Sequence, residues 1–273
     1  MQQDKRQRAC LFCGDALTGV RSLEHVFPLW LLKELGISDQ QVSAVHLFRS
    51  PEADSSMKVL GSRGLALENI KEGRICEGCN NGWMSDLEHS CREVILSLVR
   101  ARRAPEQLSQ EECLSVARWA AKTAFVLNSS ANYTAKVPAQ HLRELHATTS
   151  KLPWGVVVVA ATGPFVSSAW IQTTRWQLCA PDPLTSRIAN LMDTRSYKIG
   201  LHLGYLLLLV IWHSIPGWRK MLWSGQHTAL WPWRGKCGWH DDNASILGSL
   251  GAEMILPVHL GEVKLVHHRY LAK

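Results

Sequence analysis

Cys10-Leu-Phe-Cys13 and Cys76-Glu-Gly-Cys79 supply four thiols in two pairs, with Glu24-His25 between the pairs and Asn80-Asn81 directly after the second. Two Cys-x-x-Cys pairs make a four-thiolate site of the kind that holds a structural zinc ion tetrahedrally. Zinc alone would imply only a small knuckle. The polar residues around it point to chemistry, because Glu offers a hard oxygen, His a base titrating near neutrality and Asn an amide ligand. The pattern predicts a zinc staple beside a site for a second, catalytic metal.

Taken in order, Cys10/Cys13, Ser-Leu-Glu24-His25-Val-Phe-Pro28, Glu-Asn69-Ile and Cys76/Cys79-Asn80 resemble the HNH endonuclease family, whose ββα-metal fold is a treble clef carrying a catalytic ion. The resemblance covers the first third of the chain. It implies that His25 is the general base that activates a water, and that Glu24 and Asn80 are ligands of a divalent cation, Mg²⁺ or Mn²⁺. It makes Asn69 a positioning residue of the hairpin loop, and Cys10, Cys13, Cys76 and Cys79 the ligands of a structural Zn²⁺. The implied substrate is DNA, and the implied settings are phage defence, restriction or mobile elements. Phosphodiester hydrolysis itself asks for a nucleophile deprotonated near neutral pH and a cation to neutralise the phosphate and leaving oxygen.

Three features depart from the family pattern. Glu24 stands where Asp is commoner, one methylene longer; the stretch from Cys13 to Cys76 is long for a hairpin; and Trp83 and Met84 stand where many relatives place a further His or Asn. Asn81 or a water is left to fill that place. Two other readings stay open: a zinc-binding nucleic-acid module without catalysis, and an interaction protein that keeps the fold and has lost the activity. Cys91, Cys113, Cys179 and Cys237 lack ligand spacing and read as small buried apolar residues.

The elements that must position these groups follow from pattern. Phe27 to Leu35 reads as a short helix ending at Gly36, and residues 38 to 64 as loop with some strand. From Asn80, apolar residues at Met84, Leu87, Cys91, Val94/Ile95 and Leu98 give a helix whose first turn carries the second cysteine pair; it runs into Arg100, Arg102 and Arg103 before Pro105. Ser109-x-x-Glu112 is a capping box opening a helix to about Leu127, with Leu114, Ala117, Ala121 and Ala124/Phe125 as one buried stripe. Residues 138 to 150 suit another short helix. Val156–Ala161, Trp170–Cys179, His202–Trp212 and Ala252–Pro257 then read as strands.

The expected class is α+β: a ββα-metal domain over residues 1–104, then a mixed helix-and-sheet domain over 105–273 for substrate, partner or signal recognition. The 273 residues carry 30 Lys/Arg against 23 Asp/Glu, divided unevenly. Through residue 104 the count is 14 against 13, and from 105 onward it is 16 against 10, with ten of the twelve tryptophans in this second part. Its cations, with Arg100, Arg102 and Arg103, are candidates for phosphate contacts on DNA, and most of its tryptophans for core. A protein partner or self-association through this part is the alternative use. His240-Asp241-Asp242 and His267-His268 read as surface polar clusters. Absent are a Walker loop, a dinucleotide fingerprint and a Gly-x-Ser-x-Gly elbow. No apolar core follows the charged amino terminus, and the longest apolar stretch, Tyr205 to Trp212, is too short to cross a bilayer. A cytoplasmic protein with no membrane partner is expected.

Overall fold

The chain was analysed as a computed structural model that describes residues 9–17, 22–49, 57–131, 137–162, 169–174, 196–214, 228–233 and 264–268. Its class is α+β. A two-stranded antiparallel sheet pairs β1 (Ser22–His25) with β4 (Lys71–Ile75), placing Glu24 opposite Glu72 and His25 opposite Lys71, with a register shift between Ser22 and Glu24. The chain leaves β4 into the single turn α2 (Glu77–Cys79), a π-helical segment Asn80–Met84 and the long α3 (Ser85–Val99). Gly82 breaks helical geometry there with φ −94° and ψ −117°, so Asn80 and Asn81 sit on a turn displaced from the axis of α3. Local widening of this kind costs regular hydrogen bonding and re-aims the side chains beside it.

Between β1 and β4 the chain inserts α1 (Leu29–Leu35) and two strands, β2 (Gln41–Arg49) and β3 (Met57–Ala66). Gly36 ends α1 as expected, in the left-handed region at φ 66°, where its N–H reaches the carbonyl of Lys33. The expectation of mostly loop over residues 38 to 64 gives way to two long paired strands. Their stability comes from a cross-strand ladder and from parallel pairing of β2 with β10 (Lys264–His268), neither of which leaves a local signature.

After α3 the chain turns at Ala101, φ 53°, and enters α4 (Gln110–Ser130) through the reciprocal capping box of Ser109 and Glu112. The helix is buried on every side from Val116 to Asn128, including Arg118, Lys122 and Thr123, so the single stripe read from sequence is too narrow. An all-round buried helix is a central one. It packs against α3 and β4 and also against α5 (Ala139–Ala147), β5 (Val157–Thr162), β7 (Ser196–Leu203), β8 (Leu206–His213) and β9 (Thr228–Trp231). One hydrophobic cluster therefore runs from Phe12 and Ile75 through Trp119 and Phe125 to Leu201 and Leu208.

The larger sheet has eight strands in the order β3-β2-β10-β6-β7-β8-β5-β9, with β6 at Ala169–Thr174. It joins strands from both sides of residue 104. The run from His202 to Trp212, read as one strand, is a hairpin instead: Gly204 at φ 57° reverses the chain, pairing Leu203 with Leu206. Ala252–Pro257 and residues 175–179 lie outside the described residues. No helix among the described residues is long and apolar enough to cross a membrane.

Candidate functional site

The four predicted thiols meet. The Sγ atoms of Cys10, Cys13, Cys76 and Cys79 all lie within 4.8 Å of one another, Cys10 and Cys79 buried and the other two half-buried. A tetrahedral site with Zn–S of about 2.3 Å has edges of roughly 3.8 Å, and Cys13 Sγ to Cys76 Sγ is 3.6 Å. Local structure aims them. Cys10 N–H bonds the carbonyl of Asp15 at 2.7 Å and Gly14 N–H returns to Cys10, with Gly14 at φ 85°, which closes the first pair into a knuckle. Leu11 N–H bonds the Arg74 carbonyl at 2.9 Å and ties that knuckle to β4. Backbone N–H groups then point at sulfur: Cys76 N–H at Cys10 Sγ and Cys79 N–H at Cys76 Sγ, each at 3.4 Å.

Burial pushes the Cys79 thiol up to about 11 and Cys13 well above the usual thiol range. Burial acts the same way on Cys10, but the backbone N–H groups of Cys76, Cys13 and Phe12 outweigh it and bring that thiol down to about 7. Packed thiols resist becoming four anions unless a cation takes up the charge, and the donor set suits a soft dication. The cluster could hold a metal ion such as zinc. Among the described residues no other group of three His, Cys, Asp or Glu side chains is arranged to do so. Cys91 and Cys113 are buried as expected, their thiols pushed up to about 12 and about 11 by burial; Cys179 and Cys237 lie outside the described residues.

Glu24, His25 and Asn80 lie on β1 and on the turn just behind the cysteine cluster. Asn80 donates its Nδ2 to Ser22 Oγ at 2.6 Å, which tethers the turn to β1 and leaves Oδ1 without a hydrogen-bond partner among the described residues. Glu24 is buried, and its Oε1 accepts from the ammonium of Lys122 on α4, while Oε2 has no hydrogen-bond partner among the described residues. Burial pushes the Glu24 carboxyl up and Lys122 opposes this. His25 ends β1 half-buried, with Nδ1 enclosed and without a hydrogen-bond partner among the described residues. Burial and Lys71 hold its imidazole below the usual range, against the Glu68 carbonyl, which favours the charged form. Asn69 is exposed at the end of the short turn Leu67–Asn69 that leads into β4. No hydrogen bond among the described residues links His25 to Glu24 or Asn80.

Met84 is buried in the core and Trp83 stacks edge-on against Phe12 and His146, so both are packing residues; Asn81 leans out to Glu77 Oε1 at 3.5 Å. The arginine cluster divides. Arg100 pairs with Glu34 at 2.5 Å, and Arg103 forks onto Glu112 at 2.7 and 3.0 Å, whereas Arg102 is exposed. His240, Asp241 and Asp242 lie outside the described residues, and His267 and His268 are in β10.

Sequence reasoning missed Lys122 and Glu88. Lys122 is wholly buried, and its Nζ also donates to Glu88 Oε1 at 2.6 Å; burial opposes its charge, and Glu88 and Glu24 outweigh that to hold it above the ordinary lysine range. A signal was present, since Lys122 is the single charge between Arg118 and Lys136 and interrupts the mostly apolar run Trp119–Leu127. The chain matches no protein-family model, no curated protein and no solved structure.

Proposed function

We propose that this chain is a metal-dependent endonuclease of the HNH type that hydrolyses phosphodiester bonds, with DNA as substrate. The observation that carries the reading is the ordered assembly of one antiparallel strand pair, a kinked helix start and four clustered thiols, with two side-chain oxygens left open behind it: Glu24 Oε2 and Asn80 Oδ1. Carboxylate and amide oxygens are the donors that a hard cation such as Mg²⁺ or Mn²⁺ takes.

In this reading zinc on the four cysteines is structural, and a divalent cation near Glu24 and Asn80 supplies positive charge against the phosphate and leaving oxygen. His25 at the end of β1 takes a proton from the attacking water; a suppressed imidazole pKa keeps it neutral and able to accept. The register shift within β1 and the position of His25 at the strand end relax the strict alternation that would turn adjacent side chains to opposite faces. Asn69 borders the turn whose Glu68 carbonyl influences His25. Exposed Arg102 and cations beyond residue 105 supply phosphate contacts.

A second reading, a zinc-binding nucleic-acid or protein-interaction module without catalysis, draws on the pairing of Glu24 with Lys122, which already neutralises the carboxylate. Plasmid incubated with Mg²⁺ or Mn²⁺ separates the two. Wild type nicks or linearises it and His25→Ala does not; if wild type leaves the plasmid intact, or His25→Ala cuts at the wild-type rate, the nuclease reading fails.

A further inference from the structure

Three carboxylates stand around the inner face of the β1–β4 pair, and they are not equivalent. Glu72 spends both oxygens on Arg74, Oε1 on its backbone N–H at 2.9 Å and Nε at 3.2 Å, and Oε2 on its guanidinium at 3.4 Å. Glu88 spends both as well, Oε1 on Lys122 at 2.6 Å and Oε2 on Trp30 Nε1 at 3.3 Å. Glu24 alone uses one oxygen, on Lys122, and keeps the other. The ammonium that holds it has 0% of its side chain exposed, so it cannot touch a substrate. Its only possible action is through its partners.

We propose that Lys122 is a positioning residue of the cation site: it grips Oε1 of Glu24, fixes the long glutamate arm, and so leaves Oε2 directed to a divalent cation. This rests on the reading of Glu24 as a cation ligand. A glutamate has one more rotatable bond than the aspartate commoner at this place, so an unheld arm would lose more freedom on binding. Groups that bond a ligand's second atom typically change metal affinity by about 10–100-fold. Glu88 completes the arrangement by holding Lys122 from the other side.

Simple Coulomb repulsion gives the opposite sign. Removing an ammonium from beside a carboxylate should tighten cation binding, so the direction of the effect decides. The probe is Mn²⁺ alone, titrated into zinc-loaded full-length protein and followed by the electron paramagnetic resonance of the free ion, without DNA. Wild type should bind with an affinity that Glu24→Ala sharply weakens. Lys122→Met should weaken Mn²⁺ by about tenfold or more, and Lys122→Arg should recover most of that loss. Because Lys122→Met strands two carboxylates and risks unfolding, Lys122→Met with Glu88→Met keeps the net charge of the trio at its native value; it should show the same weakening. Unchanged or tighter Mn²⁺ binding in either folded variant overturns the positioning role while leaving the nuclease reading intact. Failure of both variants to fold overturns it too, making Lys122 purely structural. Wild type that neither binds Mn²⁺ through Glu24 nor cuts plasmid sinks both.

Discussion

Lys122 Nζ, wholly buried at the middle of α4, bonds Oε1 of Glu24 on β1 from 98 positions further along the chain. A buried ion pair contributes little net stability against a hydrophobic replacement, but breaking one side of it costs about 3–5 kcal/mol. The central helix and the small sheet behind the cysteine cluster are thus bound to each other by charge as well as by packing.

Purified under reducing conditions, the protein should carry one zinc per chain. Cys76→Ser removes a ligand and the sulfur that accepts the Cys79 N–H, so it should lose the metal and melt at a clearly lower temperature, because binding energy of a structural zinc is folding energy. Elemental analysis of wild type and variant, with thermal melts, checks this; a zinc-free wild type with reduced thiols would refute it.

Cation and base should separate by rescue. Glu24→Ala and Asn80→Ala should slow cleavage and recover partly at high Mn²⁺, whereas His25→Ala should stay inactive at any Mn²⁺ while binding DNA as wild type does. Ser22→Ala frees the Asn80 amide and should resemble a mild form of Asn80→Ala. Cleavage rates across a Mn²⁺ series decide; equal rescue of all three variants counts against a distinct base.

Acid should begin to destabilise the fold in the histidine range, above the window in which the Glu112 carboxylate is protonated. Burial holds His141, His202 and His213 down to about 4, and His141 Nδ1 is engaged with the Tyr197 hydroxyl at 2.9 Å. The unfolded chain takes up protons near pH 6.5 that the folded one refuses, so stability falls as pH drops from about 6.5 toward 4. Glu112, held down to about 2 by the Arg103 guanidinium, titrates in a lower window, its contribution being lost as pH falls from its ordinary range through about 2. Melting temperature against pH tests the order, and His141→Gln should flatten the upper window.

Gly204 should tolerate no side chain. At φ 57°, an added Cβ would stand 2.6 Å from the Val99 carbonyl oxygen, which also accepts the Tyr205 N–H at 3.0 Å and so anchors the β7–β8 turn to the end of α3. Gly204→Ala should cost about 2 kcal/mol, lowering the melting temperature by roughly 4–8 °C. An unchanged melt would mean the turn is displaced at little cost.

The arginine cluster should split by function. Arg102 is exposed, so Arg102→Ala should weaken DNA binding and reduce the slope of log affinity against log salt by about 1. Arg103→Ala should leave that slope unchanged and lower stability, since its guanidinium is held by Glu112. Binding isotherms at several salt concentrations distinguish these; identical slopes for all proteins would remove the DNA-contact role of Arg102.

What the chain disclosed by itself was what nearby residues decide together. The cysteine spacing foretold two ligand pairs, Ser109 and Glu112 foretold the start of α4, and Gly36 the end of α1, because each depends on hydrogen bonds or ligand reach within a few residues; that Cys13 and Cys76, 63 positions apart, come together is tertiary. Tertiary structure decided the rest. Gln41–Arg49 became a strand by pairing with Met57–Ala66 on one side and with the distant Lys264–His268 on the other, and the apolar run after His202 was folded back at Gly204. Most tellingly, Glu24 finds its partner in Lys122, 98 positions away, and the availability of Arg100 and Arg103 depends on Glu34 and Glu112. A charged side chain's partner is chosen by which surfaces hydrophobic burial presses together, and periodicity along one strand or helix carries no record of that choice.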